Sequence, residues 1–148
     1  MLNEGMKILI AILLAIVVSQ ITKVLIAKIK YKEVFDWRDL FLTGGMPSAH
    51  SALVTALCLS VYLLEGFTIR FIISLTLGFI VIRDSLGVRR SVGEEGKAIN
   101  EIIKELNEMM KGKKVELKEV HYSLGHKPAD ILAGIVIGII SALVILII

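Results

Sequence analysis

Two long apolar runs constrain what this chain can become more than any other feature. Residues 8–27, "ILIAILLAIVVSQITKVLIA", and residues 131–148, "ILAGIVIGIISALVILII", are each long enough to cross a bilayer as a helix. The second carries no charge at all. Residues 67–82, "FTIRFIISLTLGFIVI", make another span, with Arg70 near its outer end, where its guanidinium can snorkel to the interface. Residues 51–64, "SALVTALCLSVYLL", reach spanning length if their helix begins near Pro47. With 55% hydrophobic residues in 148, the chain reads as an all-α, polytopic integral membrane helix bundle forming one domain. Four transmembrane helices are expected, over about 7–27, 47–65, 67–83 and 129–148. The first apolar run exceeds a signal-peptide core and no small-x-small cleavage site follows it, so a retained helix is expected. Cys58, the single cysteine, lies inside an apolar run and reads as a packed thiol.

The basic residues are segregated. Residues 28–46 and 84–128, with Arg83 at the boundary, hold 14 of the 17 Lys and Arg side chains. The positive-inside rule places both loops in the cytoplasm and both termini outside. Two helices separate these loops, so they share one membrane face whichever way the protein is inserted. Within the longer loop, Ala98, Ile99, Ile102, Ile103, Leu106, Met109 and Met110 recur at spacings of three and four. That pattern predicts one amphipathic cytoplasmic helix, ended by Gly112 and the following lysines. Such a helix can lie on the membrane surface, pack over the other helices or serve a partner, and packing across the cytoplasmic mouth of the bundle is the preferred expectation.

Three polar stretches fall at the inner ends of helices on this shared face. They are "GGMPSAH" (44–50), "RDSLGVRR" (83–90) and "HYSLGHKPAD" (121–130). Glycines beside a helix start free backbone N–H groups to receive an anion, which the helix dipole also favours. Arginines supply forked donors that match phosphate oxygens. A histidine followed four residues later by aspartate, as His126 and Asp130 are, places a carboxylate where it can orient the ring. Each part also has a structural reading. Pro47 and Pro128 suit the first turn of a helix, and Ser48 or Ser51 can satisfy free amides. Asp84 can pair with Arg83 or Arg89, and His121 can be a solvated loop residue. Their arrival on one face favours a site that binds a phosphate and does chemistry on it.

"PSAH" resembles the PSGH motif of type 2 phosphatidic acid phosphatases, the superfamily shared with vanadium haloperoxidases. "SLGHKPADILAG" resembles that superfamily's last motif, and "GGMPSAHSA", "RDSLGVRRSVGEEGKAIN" and "LGHKPADILAG" together are closer to its divergent branch of small membrane proteins. The resemblance implies a metal-independent phosphatase working in two steps. His126 would attack phosphorus to form a phosphohistidine, Asp130 would orient its imidazole, and His50 would act as acid and then base. Ser48 and the backbone around Gly45 and Ala49 would hold phosphate oxygens. The superfamily's opening motif, a lysine followed seven residues later by Arg-Pro, is absent: Lys32 and Arg38 stand six apart and Asp39 follows. Its arginine six residues before the histidine is Val120 here. Arg83, Arg89 and Arg90 are therefore expected to supply the phosphate ligands, Arg89 first among them.

The expected function is hydrolysis of a lipid phosphate monoester at the cytoplasmic leaflet of the cell membrane, with phosphatidylglycerophosphate the preferred substrate. Phosphatidic acid, prenyl phosphates and undecaprenyl pyrophosphate are alternatives. A non-catalytic lipid-phosphate binder or transporter is the rival from another class. A metal-dependent reading would draw on Asp84, Glu94 or Glu95, a loose grouping for a hard cation. The expected partners are the lipid phosphate and the bilayer, with no nucleic acid, cofactor or metal. "GIVIG" (134–138) permits close helix contact, either within the chain or in a homodimer.

Overall fold

The computed structural model describes residues 3–31, 45–110, 117–120 and 125–147. Among them are five helices: α1 (Glu4–Tyr31), α2 (Ala49–Glu65), α3 (Ile69–Leu86), α4 (Val88–Met109) and α5 (Pro128–Ile147). No strand occurs among the described residues. Three helical runs are long and apolar enough to cross a membrane: α1, the run that begins with α3, and α5. The fourth expected span, α2, has 17 residues. At 1.5 Å per residue that is about 25 Å, the short end of what spans a hydrocarbon core.

Local chemistry fixes the helix ends. Ser48, with an extended backbone, accepts a hydrogen bond from Ser51 N–H and so becomes the N-cap of α2. The helix thus begins at Ala49, two residues later than the sequence suggests; Pro47 precedes the cap and follows a cis peptide bond. Gly66 ends α2 with positive φ, donating its N–H to the Tyr62 carbonyl. Thr68 then caps α3 through Phe71 N–H. Tyr62, Phe67 and Phe71 pack their rings around this turn, with centroids 5.1 Å apart along the chain of contacts. Arg70 turns outward and pairs with Glu65 at 2.9 Å, close to the expected outer position.

The hub is α2, which packs against α1, α3 and α5, while α1 also packs against α5. The interior is built from small side chains. Ala11, Ala15, Ala52, Ala56 and Ala142 are fully buried, as are Ser19, Ser51 and Ser60. Large residues face the other way: Leu9, Leu13, Val17, Ile21 and Leu25 form a half-exposed stripe on α1. Helices in lipid gain nothing from hiding leucine from a hydrocarbon solvent, so close backbone approach decides which residues turn inward. The α2–α5 seam shows it best. A Cβ on Gly138 would meet the Ala52 carbonyl oxygen at 2.5 Å, and one on Gly134 would collide with the Ser48 carbonyl. The GxxxG stretch is thus used within the chain, against α2.

The amphipathic helix is present, but it does not turn its apolar stripe to the bundle as the preferred packing would require. Its buried or half-buried positions are Gly93, Gly96, Asn100, Ile103, Asn107 and Met110, whereas Ile99, Ile102, Leu106 and Met109 are exposed. α4 packs against α3. Two asparagines bind a following segment instead of the bundle mouth. Asn100 exchanges hydrogen bonds with the Val120 backbone at 2.7 and 2.8 Å, and Asn107 does the same with Leu117 at 2.8 Å. Seven helical residues advance about 10.5 Å and three extended ones about 10 Å, so the two grips are in register. The predicted stop at Gly112 lies outside the described residues.

Gly138→Val is expected to lower the unfolding free energy in mixed detergent micelles by at least about 2 kcal/mol, because the seam cannot open without moving backbone. Leu132→Val, on the outward face of α5, should be nearly neutral. A Gly138→Val protein with native stability and a changed oligomeric state would place the seam between chains instead.

Candidate active site

The N-termini of α2 and α5 meet. Ser48 N–H donates to the Asp130 carbonyl at 2.9 Å, a backbone bond between the two helix starts. The two-helix spacing of the polar loops predicts a shared face, and this bond brings "PSAH" against "GHKPAD" there. The Ser48 side chain is fully buried, and its Oγ accepts from both Ser51 N–H (3.4 Å) and Ser51 Oγ (3.1 Å). Its own hydroxyl proton is left to donate. Gly45, with φ of 79°, precedes this cap, in a conformation that glycine adopts without strain.

His126 is 4% exposed and Asp130 9%. Asp130 Oδ2 accepts the Lys127 N–H at 2.8 Å while Asp130 N–H donates to the Lys127 carbonyl at 2.9 Å. The carboxylate therefore closes the first turn of α5, in the manner of a capping box. The same oxygen lies 3.8 Å from His126 Nδ1, too long for a hydrogen bond but close enough for charge to act. His126 Nδ1 is buried and without a hydrogen-bond partner among the described residues. Across from it stands His50, on the first turn of α2, with ring centroids 6.5 Å apart and planes inclined by 61°. An imidazole from the first turn of α2 and one from just before α5 thus face one another where these two helices start.

Burial pushes the His126 pKa below its ordinary value, and the Lys23 charge adds to that effect. Asp130 and a hydrogen bond to the Gly45 backbone oppose it, while His50 works in the same sense as Lys23. The outcome favours a neutral ring at neutral pH, which leaves a nitrogen lone pair available.

The arginines take unequal places. Arg89 pairs with Asp84 at 2.7 Å and lies within electrostatic reach of His50. The structural reading of Asp84 as an arginine partner is thus realised. Arg90 pairs with Glu94 at 2.9 Å, one turn along α4. Its backbone lies so close to Gly125 that any Cβ there would collide with it, which seats the start of α4 beside the residue before His126. Arg83 is exposed, and its carbonyl accepts the Gly87 N–H at the end of α3. Ala49 is the first residue of α2, next to the cap. His121, Gly44, Lys32 and Arg38 lie outside the described residues. No group of three or more His, Cys, Asp or Glu side chains converges as a metal site among the described residues.

One charged group in this site is absent from the three polar stretches. Lys23, well inside the apolar run of α1, acts electrostatically on Asp130, His50 and His126. Its sequence signal was available: a single cation within a spanning segment.

A family model described as "Divergent PAP2 family" matches residues 5–141. The chain is also 36% identical to "Uncharacterized membrane protein YuiD" of Bacillus subtilis (strain 168), over 93% of this chain and 92% of that protein. No solved structure matches. The match of the model across nearly the whole chain includes α2, α3 and the start of α5, where the motifs lie, and the chain belongs to the divergent PAP2 family of membrane proteins.

Proposed function

We propose that this protein hydrolyses the phosphate monoester of a membrane lipid by way of a phosphohistidine. The observation that carries the reading is the pair of imidazoles at the starts of α2 and α5, His50 and His126, 6.5 Å apart, with a carboxylate near one of them. His126 is the nucleophile: its lone pair forms a bond to phosphorus as the ester P–O bond breaks. Protonated His50 gives its proton to the departing lipid alkoxide. Water then attacks phosphorus, His50 takes its proton, the P–N bond breaks and inorganic phosphate leaves. Asp130 stabilises the positive charge on the His126 ring while the P–N bond exists. Free N–H groups at the starts of α2 and α5, the Ser48 hydroxyl and the backbone at Gly45 and Ala49 receive phosphoryl oxygens, with Arg89 and Arg90 at the rim.

A site at helix ends suits a lipid, whose head group reaches the interface while its chains stay in the bilayer. The segregation of basic residues supports a cytoplasmic position for this end. Phosphatidylglycerophosphate, a monoester exposed at that leaflet, is the preferred substrate. The non-catalytic alternative draws support from one feature: Asp130 Oδ2 already serves the Lys127 N–H and sits 3.8 Å from the histidine.

Phosphate release in detergent separates these readings. Wild type is expected to hydrolyse at least one of phosphatidylglycerophosphate, dioctanoyl phosphatidate, a prenyl phosphate and undecaprenyl pyrophosphate, with activity surviving excess EDTA. His126→Ala should fall to background, and His50→Ala should lose about 10²- to 10⁴-fold in kcat. A folded His126→Ala protein that kept its activity would sink the phosphohistidine, and a wild type that binds these lipids without releasing phosphate would establish the binder.

Two further outcomes follow from the electrostatics. Because the His126 pKa is lowered, its active neutral form persists below the ordinary histidine value, so the acidic limb of kcat/KM against pH should lie below about 6.5. Asp130→Asn removes an influence that raises this pKa, so the limb should move to still lower pH. Arg89→Ala is expected to reduce kcat/KM more than Arg83→Ala does, because Arg89 acts on His50. Full activity in both Arg89→Ala and Arg90→Ala would show that neither arginine is a phosphate ligand.

A further inference from the structure

We propose that Lys23 is the principal phosphate-binding cation of this site, presented from within the bundle by α1; the proposal rests on the phosphate-site reading above.

The helix phase places it. Ala11, Ala15 and Ser19 of α1 are fully buried, and their spacing of four continues to Lys23. The opposite stripe, Leu9 through Leu25, is half-exposed and also advances by four. Lys23 therefore lies on the ridge that α1 turns toward α2 and α5, one helical turn beyond Ser19 and toward the end where those helices start. It is half-buried there. Its charge is felt by Asp130 on α5, by His50 on α2 and by His126 just before α5. These are the groups that surround the space between the two imidazoles.

Arg89 and Arg90 are placed differently. Their side chains are 47% and 51% exposed, and each is held by a carboxylate, Asp84 or Glu94. Arg89 acts on His50, whereas Lys23 acts on both imidazoles. A phosphate monoester dianion seated between the rings would meet Lys23 from the interior and the arginines only from the rim. The interior cation is the stronger partner, because water screens it less. A lysine ammonium also turns freely on its stem, so it can share its three donors between Asp130 and a phosphoryl oxygen. A cation inside a spanning segment is costly, and a substrate anion that it must meet accounts for its place there.

The test compares Lys23→Met and Lys23→Arg with wild type, using dioctanoyl phosphatidate as substrate and orthovanadate as a mimic of the transferring phosphoryl group. Lys23→Met should lose about 10²-fold in kcat/KM. Orthovanadate should inhibit it more weakly, and the acidic limb of its pH profile should move up, since a positive neighbour of His126 has gone. Lys23→Arg should recover part of both activity and inhibition. A folded Lys23→Met protein with wild-type orthovanadate inhibition would overturn the proposal, whatever its activity.

A measurement on the wild type covers the case in which Lys23→Met does not fold. Orthovanadate should protect Lys23 from acetylation, read by mass spectrometry. Vanadium NMR reports binding in parallel. Bound vanadate with Lys23 still acetylated at its free rate would defeat the proposal alone. Protection of Lys23 in a protein that hydrolyses none of the lipids would uphold the cation and defeat the phosphatase. An absence of vanadate binding would defeat both.

Discussion

The closeness of α2 and α5 at their N-terminal ends is the constraint on which the rest depends. The Ser48 N–H to Asp130 carbonyl bond fixes the two helix starts at 2.9 Å, and Gly134 and Gly138 let the helices run together from there. His50 and His126 face one another only because those starts coincide. A helix start has amides with no internal partners, and here two such starts share one small volume. Some of those amides are already used, by the Ser48 cap on α2 and by Asp130 on α5. The remainder, aligned with two helix dipoles, give the volume a positive character before any side-chain charge is counted.

Charge inside a membrane protein needs company, and the site is organised by that need. Asp130 is nearly buried, yet it closes the first turn of α5 and lies in reach of Lys23 and His126. Its negative charge is thus distributed over a helix terminus, a lysine and a ring. His126 answers the same pressure differently, by favouring its neutral form. Surrounding one group with partners and favouring the neutral form of the other are two ways burial can be tolerated. They leave the His126 ring, with its lowered pKa, beside the Lys23 charge.

Much of this was legible in the sequence, for reasons of parity and capping. Two helices between the polar loops forced "PSAH" and "GHKPAD" to the same end, and the apolar runs located α1, α3 and α5 to within a few residues. Other features depended on tertiary contacts that spacing does not encode. Ser48 caps α2 and so sets its start at Ala49, where proline alone suggested an earlier one. The setting of α4 differs from the preferred packing across the mouth, because apolar spacing does not mark its buried face. Gly93, Gly96, Asn100 and Asn107 mark it instead, through close approach and backbone hydrogen bonding. Lys23 lies outside the three polar stretches, and a stripe of alanine and serine does not announce an interior face to a hydrophobicity pattern. The partner of the GxxxG stretch was open for a similar reason: the motif signals closeness and says nothing of to whom.

The grip of Asn100 and Asn107 on residues 117–120 has a consequence for how this protein can vary. Both asparagines hold main-chain atoms, so nothing in the grip reads the identity of Leu117 or Val120. What it reads is count. The chain must place the three steps from Leu117 to Val120 against the two turns of helix between Asn107 and Asn100. Evolution is free to rewrite the letters at 117 and 120, but a residue inserted between them would unseat one of the two grips. The segment behaves as a ruler whose graduations are peptide units, with α4 as its straightedge.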